Sequence, residues 1–461
     1  MGVADLKLTA TDNWYPSGKR SRHSPRSPTG SLHPTPTTQP PSQTGPHLHH
    51  RDALIPSPLS TDFAVAPWRQ RLRDGLGDLG PERRRSLRSL APAATAQLQP
   101  SAAGAAPLLD LASNDYLGLS RHPAVLAAAA AELVASGLGA GGSRLVTGTR
   151  PVHLQLEAEL AAWLGRQRAL LFPSGFQANL AAVAALADRH CLVLADRLIH
   201  HSLLVGVRAS GAKLRRYAHN NPADLERQLL AARRQRPGGR LLVICESLYS
   251  MEGTTAPLVQ LAALCAHHQV PLLVDEAHAL GVMGAGGRGL AHGIAELAIV
   301  SGTFGKAFGS GGAFLACDEL VGDWLLQSSG AFRYTTALAP PLAAGALAAL
   351  HLMAGGQALL ERAERWRNAL AAAGWPRPAG QGPILALLVG SDVRALALQR
   401  QLETAGLLCV AIRPPTVPEG QARLRLVLRQ DLPPGTLPRL LAALGPGPHA
   451  PLSVNTPVNT P

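Results

Sequence analysis

The sequence is poor in lysine and in aromatic residues. Only four of its 43 basic residues are lysines, namely Lys7, Lys19, Lys213 and Lys306, and aromatic residues make up 4% of the chain. The arginines are spread along the sequence, and no dense basic run alternates with aromatic residues as in a nucleic-acid-binding stripe. The formal charge of +13 therefore does not indicate a nucleic-acid partner. The scarcity of lysine also means that few side chains can supply a reactive amine.

Long apolar runs and paired cysteines are lacking as well. There is no stretch of eighteen apolar residues, and no charged N-terminal region is followed by an apolar one, so we expect neither a membrane span nor a secretory signal. The five cysteines are scattered without CxxC spacing. They fit a reducing compartment better than a disulfide framework or a zinc site. We therefore expect a cytoplasmic protein with no membrane partner and no bound metal.

Between two low-complexity ends, the chain has the pattern of a globular protein. Residues 1–60 are rich in Pro, Ser, Thr and His and predict a disordered leader, and residues 446–461 predict a disordered tail. The part between them is predicted to contain an N-terminal segment at 61–112, a large domain at 113–335 and a smaller α+β C-terminal domain at 336–445.

Apolar strands alternate with Ala- and Leu-rich helices through the predicted large domain. Near-continuous Val, Leu and Ile runs between helices are typical of strands covered on both faces, so the predicted fold class is α/β with a mainly parallel sheet. Two more candidate strands, 382–390 and 422–431, belong to the C-terminal domain. The seven candidate strands of the main sheet are 168–172, 191–195, 213–218, 240–246, 271–277, 297–303 and 312–317.

The stretch LLVDEAHALG at 272–281 allows two interpretations. An acidic strand end can hold Mg²⁺ beside a nucleotide, or it can pair with the ring nitrogen of pyridoxal phosphate. The nucleotide interpretation requires a GxxxxGK[ST] loop. Around Gly305 and Lys306, however, Val300 replaces the first glycine of that pattern and Ala307 replaces the hydroxyl residue. The sequence therefore excludes a nucleotide hydrolase of this kind.

A pyridoxal phosphate site requires three kinds of group, and the sequence contains candidates for all of them. It needs a lysine amine, an acid that keeps the pyridine nitrogen protonated, and donors for the phosphate. Outside the leader only Lys213 and Lys306 can supply the amine. Lys213 fits an ordinary strand residue, whereas Lys306 follows a strand in the glycine-rich turn SGTFGKAFGSGG, which permits close approach of a ligand. Asp275 supplies the acid upstream, and Thr303 supplies a hydroxyl beside the turn.

Two further features have both a functional and a structural interpretation. The backbone amides of Gly175 and Phe176 lie at a strand-to-helix turn in LLFPSGFQANLAAVAAL, where they suit a phosphate dianion or form a routine turn. His200 follows another strand in ADRLIHHSLLVG. It could stack on a flat ring, or it could be a hydrogen-bonded packing residue. The residues alone leave both alternatives open.

Nine blocks of sequence, taken together, resemble the α-oxoamine synthases, a pyridoxal phosphate family of fold type I. The resemblance covers about residues 66 to 445. It implies a pyridoxal 5'-phosphate cofactor and the fold-type-I architecture, with a seven-stranded sheet in the large domain. One block alone would be weak, but nine in order are specific. The blocks are SNDYLGLSRHP, GAGGSRLVTGT, PSGFQAN, ADRLIHHSL, ESLYSMEG, VDEAH, TFGKAFGSGG, YTTALAPP and IRPPTVP.

The resemblance implies a role for each residue that matches a family motif. Lys306 would hold the cofactor and move the substrate proton, Asp275 would pair with the pyridine nitrogen, and His200 would stack on the ring and steady an oxyanion. The other cofactor contacts would come from His278, Gly175, Phe176, Ser250, Thr303 and, in the neighbouring subunit, Thr336. The substrate contacts would come from Arg88, Asn114, Ser143, Glu246 and Arg413, with Arg413 binding the amino-acid carboxylate.

The reaction implied by the resemblance joins L-alanine to a pimeloyl thioester with loss of CO₂, in a homodimer with shared active sites. The acyl carrier is either coenzyme A or a carrier protein. Ser143 stands where glycine-using relatives usually carry Thr, and its smaller side chain leaves room for the methyl group of alanine. A methyl group is worth only about 1–3 kcal/mol in such a pocket, so a relative that joins glycine to an acetyl or succinyl thioester stays an alternative.

Overall fold

The computed structural model describes residues 66–449. The predicted leader at 1–60 lies outside the described residues, as does the predicted tail beyond residue 449. The chain divides between Gln70 and Arg71, and apart from residues 67–70 of the first helix the fold described below belongs to the unit that begins at Arg71. The domain boundaries placed after residues 112 and 335 stay predictions.

Seven strands between residues 168 and 317 form the central sheet. They follow three short strands, β1 (Leu90–Pro92), β2 (Gln97–Pro100) and β3 (Leu108–Asp110), and they are β4 (Arg168–Phe172), β5 (Cys191–Asp196), β6 (Lys213–Tyr217), β7 (Arg240–Glu246), β8 (Leu272–Asp275), β9 (Ile299–Thr303) and β10 (Ala313–Cys317). Their order is β4-β10-β9-β8-β7-β5-β6, and only β10 runs antiparallel to its neighbours. The predicted mainly parallel seven-stranded sheet is confirmed.

Helices lie before, between and after these strands. Their bounds are α1 (Pro67–Gly77), α2 (Pro123–Ser136), α3 (Pro151–Leu164), α4 (Gly175–Leu186), α5 (His201–Ser210), α6 (Pro222–Gln235), α7 (Leu258–His267), α8 (Glu319–Ser328), α9 (Gly330–Arg333), α10 (Pro340–His351), α11 (Gln357–Ala372), α12 (Asp392–Thr404) and α13 (Thr436–Leu444). Strands β8 and β10 are completely buried, and in β7 only Arg240 is exposed. Parallel strands buried on both faces need apolar residues throughout, which is why the strands were predictable.

The remaining strands lie in the C-terminal region. They are β11 (Ile384–Gly390), β12 (Leu407–Leu408), β13 (Val410–Ile412) and β14 (Ala422–Val427). Strand β14 lies between β11 and β13 in an antiparallel sheet, whereas β12 pairs in parallel with β3. The two strands predicted in this region correspond to β11 and β14. The N-terminal strands therefore share a sheet with the C-terminal region, a connection that the sequence did not predict.

Candidate active site

A pocket of about 180 Å³ opens at the carboxyl edge of the central sheet. Glu246, Asp275 and Thr303 are the last residues of β7, β8 and β9, and Lys306 follows β9 by three residues. The carboxyl ends of parallel strands share one edge of a sheet, and ligands of open α/β sheets bind there. The pocket is lined by Gly175, Phe176, Asn179, His200, Ser202, Glu246, Asp275, Ala277, His278, Ser301, Gly302, Thr303 and Lys306. Eight of the residues predicted from the sequence are among them.

Asp275 is held by hydrogen bonds to each carboxylate oxygen. The side-chain amide of Asn179 donates to Asp275 Oδ2 at 2.7 Å, and the backbone N–H of Ala277 donates to Oδ1 at 2.9 Å. Asn179 also donates to Ser202 Oγ at 2.9 Å and accepts from Ser301 Oγ at 2.6 Å. Since every polar atom of the Asn179 side chain has a partner, its amide fixes the position of Asp275. Sequence reasoning missed Asn179, although it ends the block PSGFQAN.

The amine of Lys306 is surrounded by charges of both signs. Burial lowers the pKa of Lys306 from 10.5 to about 8, and the positive charge of Arg425 also acts to lower it, while Asp275 and Glu246 oppose the shift. Roughly a tenth of this amine is therefore neutral at pH 7, far more than for an ordinary lysine, and a nucleophile or general base requires the neutral form. The lowered pKa of Lys306 thus suits the role predicted for it, which is to bind the cofactor and to move the substrate proton.

The turn that carries Lys306 is held in place by hydrogen bonds and close packing. The hydroxyl of Thr303 donates to the carbonyl of Gly312 at 2.9 Å and accepts from the N–H of Gly305 at 3.2 Å. Gly309 has φ +63, and a Cβ atom there would collide with the backbone nitrogen of Ser120. Glycine is required at this position because the turn passes so close to another segment.

His200 and Glu246 lie on the side of the pocket formed by β5 and β7. His200 Nδ1 accepts from the N–H of Ser202 at 3.3 Å and contacts its hydroxyl at 2.7 Å, so His200 caps the start of α5. Burial, with the charge of Lys306, lowers the pKa of His200. Burial and the charge of Asp275 raise the pKa of Glu246 well above its usual value. Both shifts favour the uncharged forms of these groups, a neutral imidazole for His200 and a protonated carboxyl for Glu246.

A second group of polar side chains is linked to the pocket through His278, which lines it. Arg425, in the middle of β14, donates to Asn114 Oδ1 at 3.0 Å and to the carbonyl of Ser250 at 2.7 Å. The hydroxyl of Tyr116 contacts His278 Nδ1 at 2.6 Å and Asn114 Oδ1 at 3.3 Å. Burial lowers the pKa of His278 well below its usual value, helped by the charges of Lys306 and Arg425. Neither Arg425 nor Tyr116 was predicted as a site residue.

The structure does not bring two predicted substrate-binding arginines to the pocket. Arg413 lies with Arg85 and Asp392, whose charges act on its pKa, and burial lowers that pKa. Arg88 forms an ion pair with Glu403 at 2.5 Å. Neither arginine lines the pocket, and the charges that act on Arg413 belong to residues outside it. The arginine whose charge acts on the pKa of Lys306 is Arg425.

Ser143 and Thr336 also lie outside the pocket, but they lie next to each other. They form an antiparallel bridge, and the N–H of Ala337 donates to the carbonyl of Gly142 at 3.0 Å. Large apolar side chains are exposed nearby in sequence, including Val146 at 77% and Tyr334 at 79%. The predicted contact of Thr336 with the phosphate of a neighbouring subunit and the predicted contact of Ser143 with the substrate both stay predictions.

The donor set of the pocket fits pyridoxal phosphate. The N–H groups of Gly175 and Phe176 begin α4 and have no acceptor among residues 66–449, while Ser174 Oγ caps the N–H of Gln177 at 3.3 Å. Free N–H groups at a helix start bind a phosphate dianion, and Thr303 adds a hydroxyl beside them. Across residues 66–449 there is no group of three or more His, Cys, Asp or Glu side chains that could hold a metal ion. A separate finding concerns membranes: among residues 66–449, no helix is long and apolar enough to span a bilayer.

The chain is similar to known proteins, and one of their solved structures contains PLP, the cofactor that the pocket fits. The chain is 46% identical over 331 residues to the 8-amino-7-oxononanoate synthase of Acidithiobacillus ferrooxidans, covering 70% of this chain and 83% of that protein. A serine palmitoyltransferase (SPT) solved with PLP superposes with a TM-score of 0.73 at 26% identity, over 82% of this chain and 95% of that one.

A second solved structure, the 8-amino-7-oxononanoate synthase of Francisella tularensis, has a TM-score of 0.62 at 28% identity and covers 73% of this chain and 96% of its own. The resemblance predicted from the sequence blocks is thereby confirmed. The family model for aminotransferases of class I and II matches residues 106–444. The chain therefore belongs to the aminotransferase class I and II family.

Proposed function

We propose that the protein is an 8-amino-7-oxononanoate synthase. It joins L-alanine to a pimeloyl thioester and releases 8-amino-7-oxononanoate, CO₂ and either coenzyme A or a carrier thiol, a step of biotin biosynthesis in the cytoplasm. The names of its relatives support this activity. The alternative is another α-oxoamine synthase, such as a glycine C-acetyltransferase or a 5-aminolevulinate synthase.

The observation that carries the proposal is the convergence of Lys306 and Asp275 on one buried pocket. Bound pyridoxal phosphate supplies an electron sink for negative charge on the α-carbon of the amino acid. Lys306 is the residue that would attach it, and the negative charge of Asp275 would keep the pyridine nitrogen protonated. The remaining contacts would come from His200, His278 and Thr303, together with the amides of Gly175 and Phe176.

Lys306 also moves the proton of the reacting carbon. A general base works best with a pKa near the working pH, and the Lys306 pKa of about 8 satisfies this condition. Nδ1 of the uncharged His200 faces Ser202, and among residues 66–449 no hydrogen-bond partner meets its Nε2. His200 is thus able to donate a hydrogen bond to the oxygen of the thioester carbonyl as negative charge develops there.

Arg425 takes the carboxylate-binding role that the resemblance assigned to Arg413. It is buried, it is close enough to Lys306 to lower the lysine pKa, and it holds the side chain of Asn114. A guanidinium group binds a carboxylate through two parallel N–H groups. An amino acid held in this way has its α-carbon directed toward the lysine pocket.

We also propose a homodimer with shared active sites. Thr336 of each subunit then reaches the cofactor phosphate in the other, and Ser143 lies near the alanine methyl group. The exposed apolar side chains that precede and follow these residues, such as Leu145 and Tyr334, support an interface on this face.

A coupling assay tests the proposed function. Purified protein is incubated with alanine, glycine or serine and with pimeloyl, acetyl or succinyl thioesters, and CO₂ and ketone products are measured. Alanine with a pimeloyl thioester is expected to give the highest kcat/KM. A preference for glycine with acetyl-CoA would contradict the substrate assignment but not the cofactor site. The site is tested separately by mass spectrometry after borohydride reduction and digestion, which should find the cofactor attached to the peptide that contains Lys306.

A further inference from the structure

A second and larger cavity adjoins the reaction pocket. It has a volume of about 600 Å³, and His200 lines both this cavity and the pocket that holds Lys306. A third cavity of about 510 Å³ shares Arg197, Leu198, Arg216, Glu252 and Pro418 with the second. The two larger cavities, here called the arginine groove, therefore extend from His200 along the ends of β5 and β6.

The arginine groove carries an excess of positive charge. It is lined by four arginines and one carboxylate, namely Arg197, Arg216, Arg377, Arg423 and Glu252. Glu252 pairs with Arg423 at 3.2 Å, and Arg377 pairs with Glu364 outside the groove at 2.5 Å. Among residues 66–449, no carboxylate lies within ion-pair distance of Arg197 or Arg216. Two guanidinium groups are thus available for an anion.

The topology of the sheet places these two guanidinium groups together. Arg197 directly follows β5, and its N–H donates to the carbonyl of Tyr217 at the end of β6. Arg216 lies opposite Ala195 in the parallel register, and its guanidinium donates to the carbonyl of Arg197 at 3.3 Å. The neighbouring Arg215 points to the other face of the strand and donates to Gln235 of α6 at 3.2 Å. Arg215 is therefore a matched control residue outside the groove.

We propose that Arg197 and Arg216 bind the phosphate of the phosphopantetheine arm that carries the acyl group. This inference rests on the proposed function, because a thioester donor must reach the reaction pocket past His200. Between the arginines and His200 the groove offers apolar surface from Ile199, Leu204 and Val417, which suits the uncharged pantetheine chain. Arginines bind phosphate oxygens strongly and in a defined geometry. The same arm occurs in coenzyme A and in acylated carrier proteins.

The test compares donors with and without the phosphate. Holoenzymes with Arg197→Gln, Arg216→Gln and both substitutions are assayed with pimeloyl-CoA, with a pimeloyl carrier protein and with the pimeloyl thioester of N-acetylcysteamine, which lacks a phosphate. Each substitution should lower kcat/KM about tenfold for phosphate-bearing donors, since each removes a charged hydrogen bond. Values for the phosphate-free donor, and KM for alanine, should not change. Arg215→Gln should match the unsubstituted enzyme with every donor.

The donors also identify the source of the phosphate. Loss confined to the donor that the unsubstituted enzyme prefers, coenzyme A or carrier protein, supports the proposal and names the carrier. An equal loss with the phosphate-free donor would place the terminal pimeloyl carboxylate at these arginines and overturn the proposal, as would no loss with any donor.

Failure of the proposed function would be seen separately, as no product from the unsubstituted enzyme with any pimeloyl donor. In that case calorimetric titration with coenzyme A decides the question. Binding to the unsubstituted protein that weakens in the double variant but not in Arg215→Gln supports the groove as a phosphopantetheine site. No binding overturns it.

Discussion

The two parts of the candidate active site are built in different ways. Glu246, Asp275 and Thr303 end consecutive strands of the central sheet, so the parallel topology alone brings them together. Arg425 lies inside β14 of a different sheet and donates to the carbonyl of Ser250, which follows β7 of the central sheet. The first part depends on strand order, and the second depends on how two sheets pack. This difference explains which residues the sequence revealed, and it makes the contribution of each part testable.

The largest expected effect is at the central sheet. Lys306→Ala removes both the anchoring amine and the general base, so turnover should fall by at least about a thousandfold. Lys213→Ala is the control, because Lys213 is exposed at the start of β6. Turnover with alanine and pimeloyl-CoA, together with the visible absorbance of the cofactor, measures both. An active Lys306→Ala enzyme would show that Lys306 neither anchors the cofactor nor acts as the general base.

The next effect tests the C-terminal sheet. Arg425→Gln removes the charge beside Asn114 and should raise KM for alanine about ten- to a hundredfold, the value of a charged hydrogen-bonded pair. Arg413→Gln should change this KM by less than about twofold, since the charges that act on Arg413 come from Arg85, Asp392 and Glu82 and from no residue of the pocket. Arg425→Lys keeps the charge and should recover part of the loss. If Arg413→Gln raises KM for alanine more than Arg425→Gln does, Arg413 is the residue that binds the carboxylate.

Residues at the strand ends of the central sheet could be predicted from the sequence, whereas residues that reach the site through the packing of other elements could not. Each strand of the central sheet is a run of apolar residues, and a polar residue that ends such a run must lie at the carboxyl edge. Asp275 and Lys306 are therefore recognisable from the amino-acid pattern alone. Asn179 was missed because it lies one turn inside α4, where the pattern cannot distinguish the side that faces Asp275.

Arg425 was missed although β14 contained a signal. Both arginines of ARLRLV are buried, and a charged side chain is almost never buried without a partner. Two arginines within one apolar strand therefore indicate buried polar partners, here Asn114 for Arg425 and Glu252 for Arg423. The sequence cannot name those partners, because they lie 311 and 171 residues away along the chain.

A smaller effect links the two parts through the pKa of Lys306. With a pKa of about 8, the neutral amine makes up roughly a tenth of the total at pH 7, so cofactor uptake by stripped protein should rise about tenfold above its pH 7 value, with a midpoint near pH 8. Since the charge of Arg425 lowers this pKa, Arg425→Gln should move the midpoint to higher pH. The rate of the absorbance change after mixing with pyridoxal phosphate, measured at each pH, tests both. A midpoint near the ordinary lysine pKa of 10.5 in the unsubstituted protein would show that burial does not act on the amine.

The smallest effect concerns the face that carries Thr336, which neither sheet brings to the pocket of its own subunit. If Thr336 reaches the cofactor phosphate of the neighbouring subunit, Thr336→Val should weaken cofactor binding by about two- to tenfold, the value of one hydrogen bond. Thr335→Val is the control, because the Thr335 hydroxyl donates to the carbonyl of Thr336 within the same chain. A fluorescence titration with pyridoxal phosphate gives both affinities. Because the contact comes from another subunit, affinity in the unsubstituted protein should also fall on dilution below the dimer dissociation constant. If neither dilution nor Thr336→Val changes the affinity for pyridoxal phosphate, the phosphate site is formed by one chain alone, and the neighbouring subunit contributes no residue to it.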